Sequence, residues 1–325
     1  MAQDQTKKEA LFNEVKGSLF EYLVCKELAF KNQSELEFHQ SLDKNYLHVL
    51  TQQDRMVRQF YPEMISFLNS VAKKTVQDLV LYLGELPKRP KLLGKLSNST
   101  EEFKEADLLL ETEKKSIPLS LKLNKKNAFV NTKSGGIKSF FLQYFSFLPA
   151  SYQTSFNQSV DLEFERMAIE LHQFHGLDYP GNFSLWIKNG LSELPGELGH
   201  EERNILKSYY ARLAKEVHRI LSAAKDLDPK AFSMALAPLM GFSDPEILQL
   251  ICFHDFKTGN EVKIEIHSFE QIATSLIDNK ILPFHSISSV EIDTGQCSLQ
   301  IRIKPMNKFT TTAIKMNCST RFMRS

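Results

Sequence analysis

EADLLLETEKKSIPLSLKLNKK, from Glu105 to Lys126, decides how this chain is read. Two short apolar runs, Ala106 to Leu110 and Ile117 to Leu123, flank a polar segment, the signature of a β-hairpin. A tip at Lys114-Lys115 sets Asp107 opposite Lys122 and Leu109 opposite Ser120, making an acid and an ammonium cross-strand neighbours. Period-two alternation sends Ser120 and Lys122 to one face and Leu119, Leu121 and Leu123 to the other, into a core.

Upstream, GSLFEYLVCKELAF (residues 17–30) spaces Leu19, Phe20, Leu23, Val24 and Leu28 as an amphipathic helix. Glu21 sits within that oily stretch, in line with Gly17 and Cys25, and the small residue one turn earlier leaves room beside its carboxylate. A carboxylate there needs a cation, either a basic side chain or a metal. The plainer alternative is a helix-edge Glu21 that is hydrated or paired with Lys26.

An Asp entering a hairpin, with x-apolar-Lys on the return strand, resembles the PD-(D/E)xK nuclease motif, and SLK (Ser120 to Lys122) resembles its serine-bearing variants among type II restriction endonucleases. The resemblance implies a restriction-endonuclease-like α/β core on a mixed sheet and a Mg²⁺-dependent endonuclease acting on double-stranded DNA. It implies Asp107 as metal ligand, Lys122 orienting the attacking water, and Glu21 as the helix-borne acid beside the metal. Ser120 stands where the family carries an acid and cannot supply its charge. One metal is therefore expected, with the Leu121 carbonyl as an extra ligand. Cleavage of both strands implies a homodimer with one site per strand. Two alternatives stay open: a non-catalytic DNA-binding protein on a degenerate form of the fold, and an RNA or repair nuclease on the same core.

The net charge of +1 hides an uneven distribution. Residues 86–100 carry Lys88, Arg89, Lys91 and Lys95 with no acid, and residues 114–160 hold seven lysines, again with none. The last 32 residues carry Arg302, Lys304, Lys308, Lys315, Arg321 and Arg324, also without Asp or Glu. Such stretches suit a phosphate backbone, or are simply solvated faces. The candidate DNA contacts are Lys88, Arg89, Lys91, Lys125, Lys126, Lys133, Lys138, Arg302, Lys304 and Lys308. The basic terminal segment has an ordinary alternative too, an edge strand guarded by charged gatekeepers.

At 325 residues and 42% hydrophobic, the chain can bury a sizeable core. No apolar run of about 18 residues is present and MAQDQTKKEA has no signal-peptide core, so a cytoplasmic protein off the membrane is expected. Cys25, Cys252, Cys297 and Cys318 lie too far apart for a zinc ribbon or a disulfide framework. SGGIKS (residues 134–139) lacks the spacing of a nucleotide-binding loop, so no nucleotide cofactor is expected. His172 and His175 share a helix face without a third ligand, and His200-Glu201-Glu202 is not HExxH.

The expected organisation is a nuclease core over 1–150, a helical region over 151–247 and a β-rich region over 248–325. Helices are expected over 7–31, broadly over 46–84 with an interruption at Pro62, over 137–148 with Ser134 or Gly135 as cap, over 162–176, 201–227 and 269–278. Strands are expected over 248–256, 261–267, 288–292 and 297–303. Residues 32–45 and 87–103 are expected as polar connections.

Overall fold

The computed structural model describes residues 2–93, 105–125, 128–254, 262–283, 288–305 and 308–323. It is a mixed α/β protein with two five-stranded sheets. The chain divides into two compact units, each built from two sequence segments: 1–128 with 243–271, and 129–242 with 272–325.

The first unit opens with α1 (Ala2–Lys31), α2 (Glu35–Ser41), α3 (Lys44–Phe60) and α4 (Pro62–Leu83). Asp43 caps α3 by accepting from the N–H groups of Asn45 and Tyr46 at 2.9 and 3.0 Å. Pro62 sits in the first turn of α4, where its missing N–H costs nothing, and so separates two helices. Gly84, at φ 73°, closes α4. Residues 35–41, expected as connection, are helical because Phe38 is buried and anchors the turn against the Tyr22 ring at 6.0 Å.

Strands β1 (Lys88–Leu92), β2 (Leu108–Glu111) and β3 (Ser116–Lys125) form an antiparallel meander. Lys88 to Leu92, expected as part of a polar connection, is a strand. It lies at the sheet edge, where a proline is tolerated, with its register broken between Lys88 and Lys91 and Arg89 at φ 44°.

Strand β4 (Val130–Gly136) follows, then helices α5 (Phe140–Tyr144), α6 (Ala150–Phe174), α7 (Ser184–Lys188), α8 (His200–Leu227) and α9 (Pro229–Leu239). The expected helix over 137–148 shrinks to α5, and Ser134 and Gly135 lie in β4 rather than capping it. The strand forms because residues 130–136 pair with a distant strand near the C-terminus.

The chain then supplies β5 (Leu248–His254) and β6 (Lys263–Ser268) to the first sheet, whose order is β1-β2-β3-β5-β6. β5 runs parallel to β3, the arrangement that demands a long crossover, and β6 returns antiparallel. One face of this sheet presents Leu108, Leu110, Leu119, Leu121, Leu250 and Cys252 to a core shared with Leu19, Val24 and Leu28 of α1 and Val71, Val76 and Leu79 of α4.

After α10 (Phe269–Ile277) come β7 (Lys280–Ile281), β8 (Ser289–Asp293), β9 (Cys297–Pro305) and β10 (Ile314–Phe322). With β4 they form the second sheet, order β4-β10-β9-β8-β7, antiparallel throughout. Its buried face carries Ile314, Met316 and Cys318 of β10 and Leu299, Ile301 and Ile303 of β9, while α8 packs on β8 and β9.

Candidate functional site

The hairpin forms where expected, but its register is displaced by two residues. Leu108 pairs with Leu119 and Leu109 with Pro118, so extending the ladder by one sets Asp107 level with Ser120 rather than with Lys122. The tip is Glu113-Lys114, not Lys114-Lys115, and Thr112 selects it. The Thr112 hydroxyl donates to the Lys115 carbonyl at 2.9 Å and accepts from the N–H groups of Lys114 and Lys115 at 3.3 and 3.1 Å. A slip of two leaves every side chain on its expected face, so the polar and apolar sides of β3 stand as the alternation requires.

The backbone clamps Asp107 from both sides. Its N–H donates to the Leu119 carbonyl at 2.8 Å and its own carbonyl accepts from Leu93 N–H at 2.9 Å. Its Oδ2 accepts from Leu121 N–H at 2.6 Å, from Ser120 Oγ at 3.4 Å and from Lys122 Nζ at 3.4 Å. The carboxylate thus takes the place that a backbone carbonyl of β2 would occupy beside β3. Among the described residues every donor to the carboxylate goes to Oδ2, and Oδ1 receives none. Asp107 and Lys122 are neither fully buried nor fully exposed, with side-chain exposures of 22% and 30%. In an extended strand the N–H and C=O of one residue point to the same edge, so the Leu121 carbonyl shares the edge that its N–H presents to Asp107.

Glu21 lies on α1, half-buried, and its surroundings are read through Tyr46. Burial pushes the Tyr46 hydroxyl well above the usual tyrosine range, and the negative charges of Glu21 and Asp107 push it further the same way. Both carboxylates therefore lie within electrostatic reach of one phenol, which stays protonated. A Cβ placed at Gly17 would meet nothing within 4 Å, so there is open space one turn before Glu21. Tyr46 carries no local sequence signal. It is one turn into a polar helix, and only the packing of α3 brings it to the site.

The sheet register adds a polar row that hairpin reasoning does not reach. Gln249 of β5 pairs with Ser120, and His267 of β6 pairs with Gln249. Ile251 pairs with Lys122 and with Glu265, whose carboxylate meets His267 Nε2 at 3.3 Å. Burial holds the His267 imidazole below its ordinary pKa, with Glu265 acting in the opposite direction and Lys263 lowering it further.

The candidate DNA contacts separate into groups. Lys88 pairs with Glu113 at 3.2 Å, and Arg89 and Lys91 share Glu111 at 3.7 and 3.2 Å, so two hairpin acids offset most of the charge of these three cations. Lys138 pairs with Asp161 at 2.5 Å, and Lys308 with Glu193. Lys133 shares the inner face of its sheet with Cys318, and burial lowers its ammonium pKa. Lys125 is exposed at the end of β3, close enough to Lys16 to lower that partly buried ammonium further. Lys126 lies outside the described residues. Arg302 and Lys304 are exposed on β9.

Among the described residues no group of three or more His, Cys, Asp or Glu side chains converges as a metal-binding cluster. The candidate donors are Asp107 Oδ1 and the Leu121 carbonyl, together with half-buried Glu21, which acts on the same Tyr46 hydroxyl as Asp107 does. That set fits a hard cation such as Mg²⁺, which binds through one or two carboxylates and keeps much of its water. No described helix is long and apolar enough to cross a membrane. Comparison of the chain with known protein families, with curated proteins and with solved structures finds no match.

Proposed function

We propose that the Asp107 site hydrolyses phosphodiester bonds of double-stranded DNA with Mg²⁺, in the manner of the PD-(D/E)xK enzymes that its motif resembles. One observation carries the proposal. The Asp107 carboxylate is fixed by the Leu121 N–H and the Lys122 ammonium through Oδ2, while Oδ1 is left without a donor from the described residues. With the side chain partly exposed, Oδ1 is left to water or to a cation.

Asp107 Oδ1, Glu21 and the Leu121 carbonyl would hold the Mg²⁺, which when bound polarises a phosphoryl oxygen and activates water. Lys122 sets a positive charge beside the anionic phosphate and neutralises charge that builds as the bond breaks. The Ser120 hydroxyl, buried and donating to Oδ2, positions the carboxylate without adding charge. Protonated Tyr46 keeps a neutral group within electrostatic reach of both carboxylates. A single site serves one strand, so a homodimer of a restriction-type enzyme is the assembly proposed for cutting both.

Supercoiled plasmid incubated with Mg²⁺ or Mn²⁺ should be nicked or linearised by the native chain, but not by Asp107→Asn or Lys122→Ala variants that still bind DNA. Binding without cleavage under every divalent metal would favour a second reading, a DNA-binding protein on the same fold. That reading draws on Ser120 standing where a second acid is expected and on the lack, among the described residues, of a cluster of three ligands. Cleavage confined to RNA or to branched DNA would move the substrate and keep the site.

A further inference from the structure

The second sheet carries a separate positively charged surface. On β9 and β10, Lys304 pairs directly with Lys315, and Arg302 pairs with Asn317 one row below. All three cations are exposed. Among the described residues none of them has an ion-pair partner, and neither row holds an acid: Gly136 flanks Lys315, and Ser134 and Ser289 flank the Arg302–Asn317 row. Asn317 Oδ1 accepts from Ser134 Oγ at 2.9 Å, which fixes the amide across from Arg302.

Like charges directly opposite on paired strands repel, their Cβ atoms lying about 4.5–5.5 Å apart, and Arg302 joins them from about 7 Å along the strand. Gatekeeping against edge-to-edge aggregation does not account for this. β9 and β10 are interior strands with neighbours on both sides, and no open edge needs protecting there. The opposite face of both strands is apolar and buried, so the three charges are not needed to fill space.

We infer that this face of the second sheet, formed by Arg302, Lys304 and Lys315 with Asn317 and Ser134, docks the phosphate backbone of duplex DNA. Three cations at strand spacing, with the Asn317 amide across from Arg302 and the Ser134 hydroxyl on its outer flank, match successive phosphate and sugar oxygens. No aromatic ring stands in these rows to stack a splayed base, which favours a duplex over a single strand. The choice of DNA among polyanions rests on the function proposed for the Asp107 site; the choice of surface rests on its charge alone.

The test is the salt dependence of binding to a labelled duplex, measured in Ca²⁺ with the full chain. Three phosphate contacts contribute about 2.7 to the slope of log K against log salt, so between 50 and 200 mM they account for roughly a 40-fold loss of affinity. The combined variant Arg302→Gln, Lys304→Gln and Lys315→Gln should lose that 40-fold sensitivity, and each single variant about a third of the slope. The variant Lys88→Gln, Arg89→Gln and Lys91→Gln, whose cations face the hairpin acids, should keep the native slope. An unchanged slope in the combined and single variants overturns the inference. So does tighter binding of single strands, equal competition by polyglutamate, or no duplex binding by the native chain at 50 mM salt. Cleavage by the native chain with an unchanged slope would sink this surface alone, whereas a reduced slope without any cleavage would sink the hydrolytic site alone.

Discussion

Asp107→Ala and Asp107→Asn separate what the carboxylate does for the fold from what it does for chemistry. In the native chain Oδ2 receives the Leu121 N–H at 2.6 Å and the Lys122 ammonium at 3.4 Å. Alanine removes a charge-assisted hydrogen bond to a backbone donor, a loss of about 1.5–3 kcal/mol. It also removes an ion pair that, being partly exposed, contributes about 1 kcal/mol or less. The sum is about 1.5–4 kcal/mol. Asparagine keeps an oxygen to accept from Leu121 and loses mainly the charge, so its cost should be about 1–1.5 kcal/mol. Urea unfolding followed by circular dichroism measures both values, with the transition assigned to the first unit by Trp-independent probes on α1. For DNA cleavage the order is different: both variants should fall by at least about 100-fold, as when one electrostatic element of an active site is lost. An asparagine variant that cleaves like the native chain would refute the role of the charge. An alanine variant as stable as the native chain would refute the clamp.

Two further outcomes follow from the first unit. Gly84 ends α4 at φ 73°, and a Cβ there would meet nothing within 4 Å, so Gly84→Ala should cost only the conformational penalty of about 1–2 kcal/mol in urea. His267 has its pKa lowered by burial, so it favours the folded chain while neutral. As pH falls through the ordinary histidine value toward the lower folded one, the unfolded chain takes up the proton first and stability declines. His267→Gln should therefore show a smaller loss of stability between pH 7.5 and pH 5.5, and an identical loss in both chains would contradict the assignment.

Much of this architecture is legible in local pattern. The alternation Leu119, Leu121, Leu123 against Ser120 and Lys122 identifies both faces of β3, and the spacing of Leu19, Val24 and Leu28 identifies the buried face of α1. The meeting of Asp107 and Lys122 follows from the hairpin even though its register differs by two, because such a slip preserves the faces and Lys122 is long enough to reach diagonally. The Thr112 side chain that fixes the true tip has no distinctive signature beside the lysines following it. Pro90 conceals β1, since a proline excludes a central strand but not an edge. The parallel pairing of β3 with β5 joins residues more than a hundred positions apart and leaves no trace in either segment, so Gln249 and His267 enter the polar row only through the fold. Charge runs are incomplete in a different way. Lys88, Arg89 and Lys91 stand in an acid-free stretch of sequence, yet in the fold they pair with Glu111 and Glu113. Lys304 and Lys315 lie eleven residues apart and only pairing makes them adjacent.

Anomalous scattering from crystals of the chain grown with duplex DNA and Mn²⁺ would examine the hydrolytic site itself. A single peak is predicted about 2.1 Å from Asp107 Oδ1, on the side of Glu21 and the Leu121 carbonyl, and it should vanish in Asp107→Asn. Saturating Mn²⁺ with no peak at Asp107, or with one bound elsewhere on the chain, would contradict it.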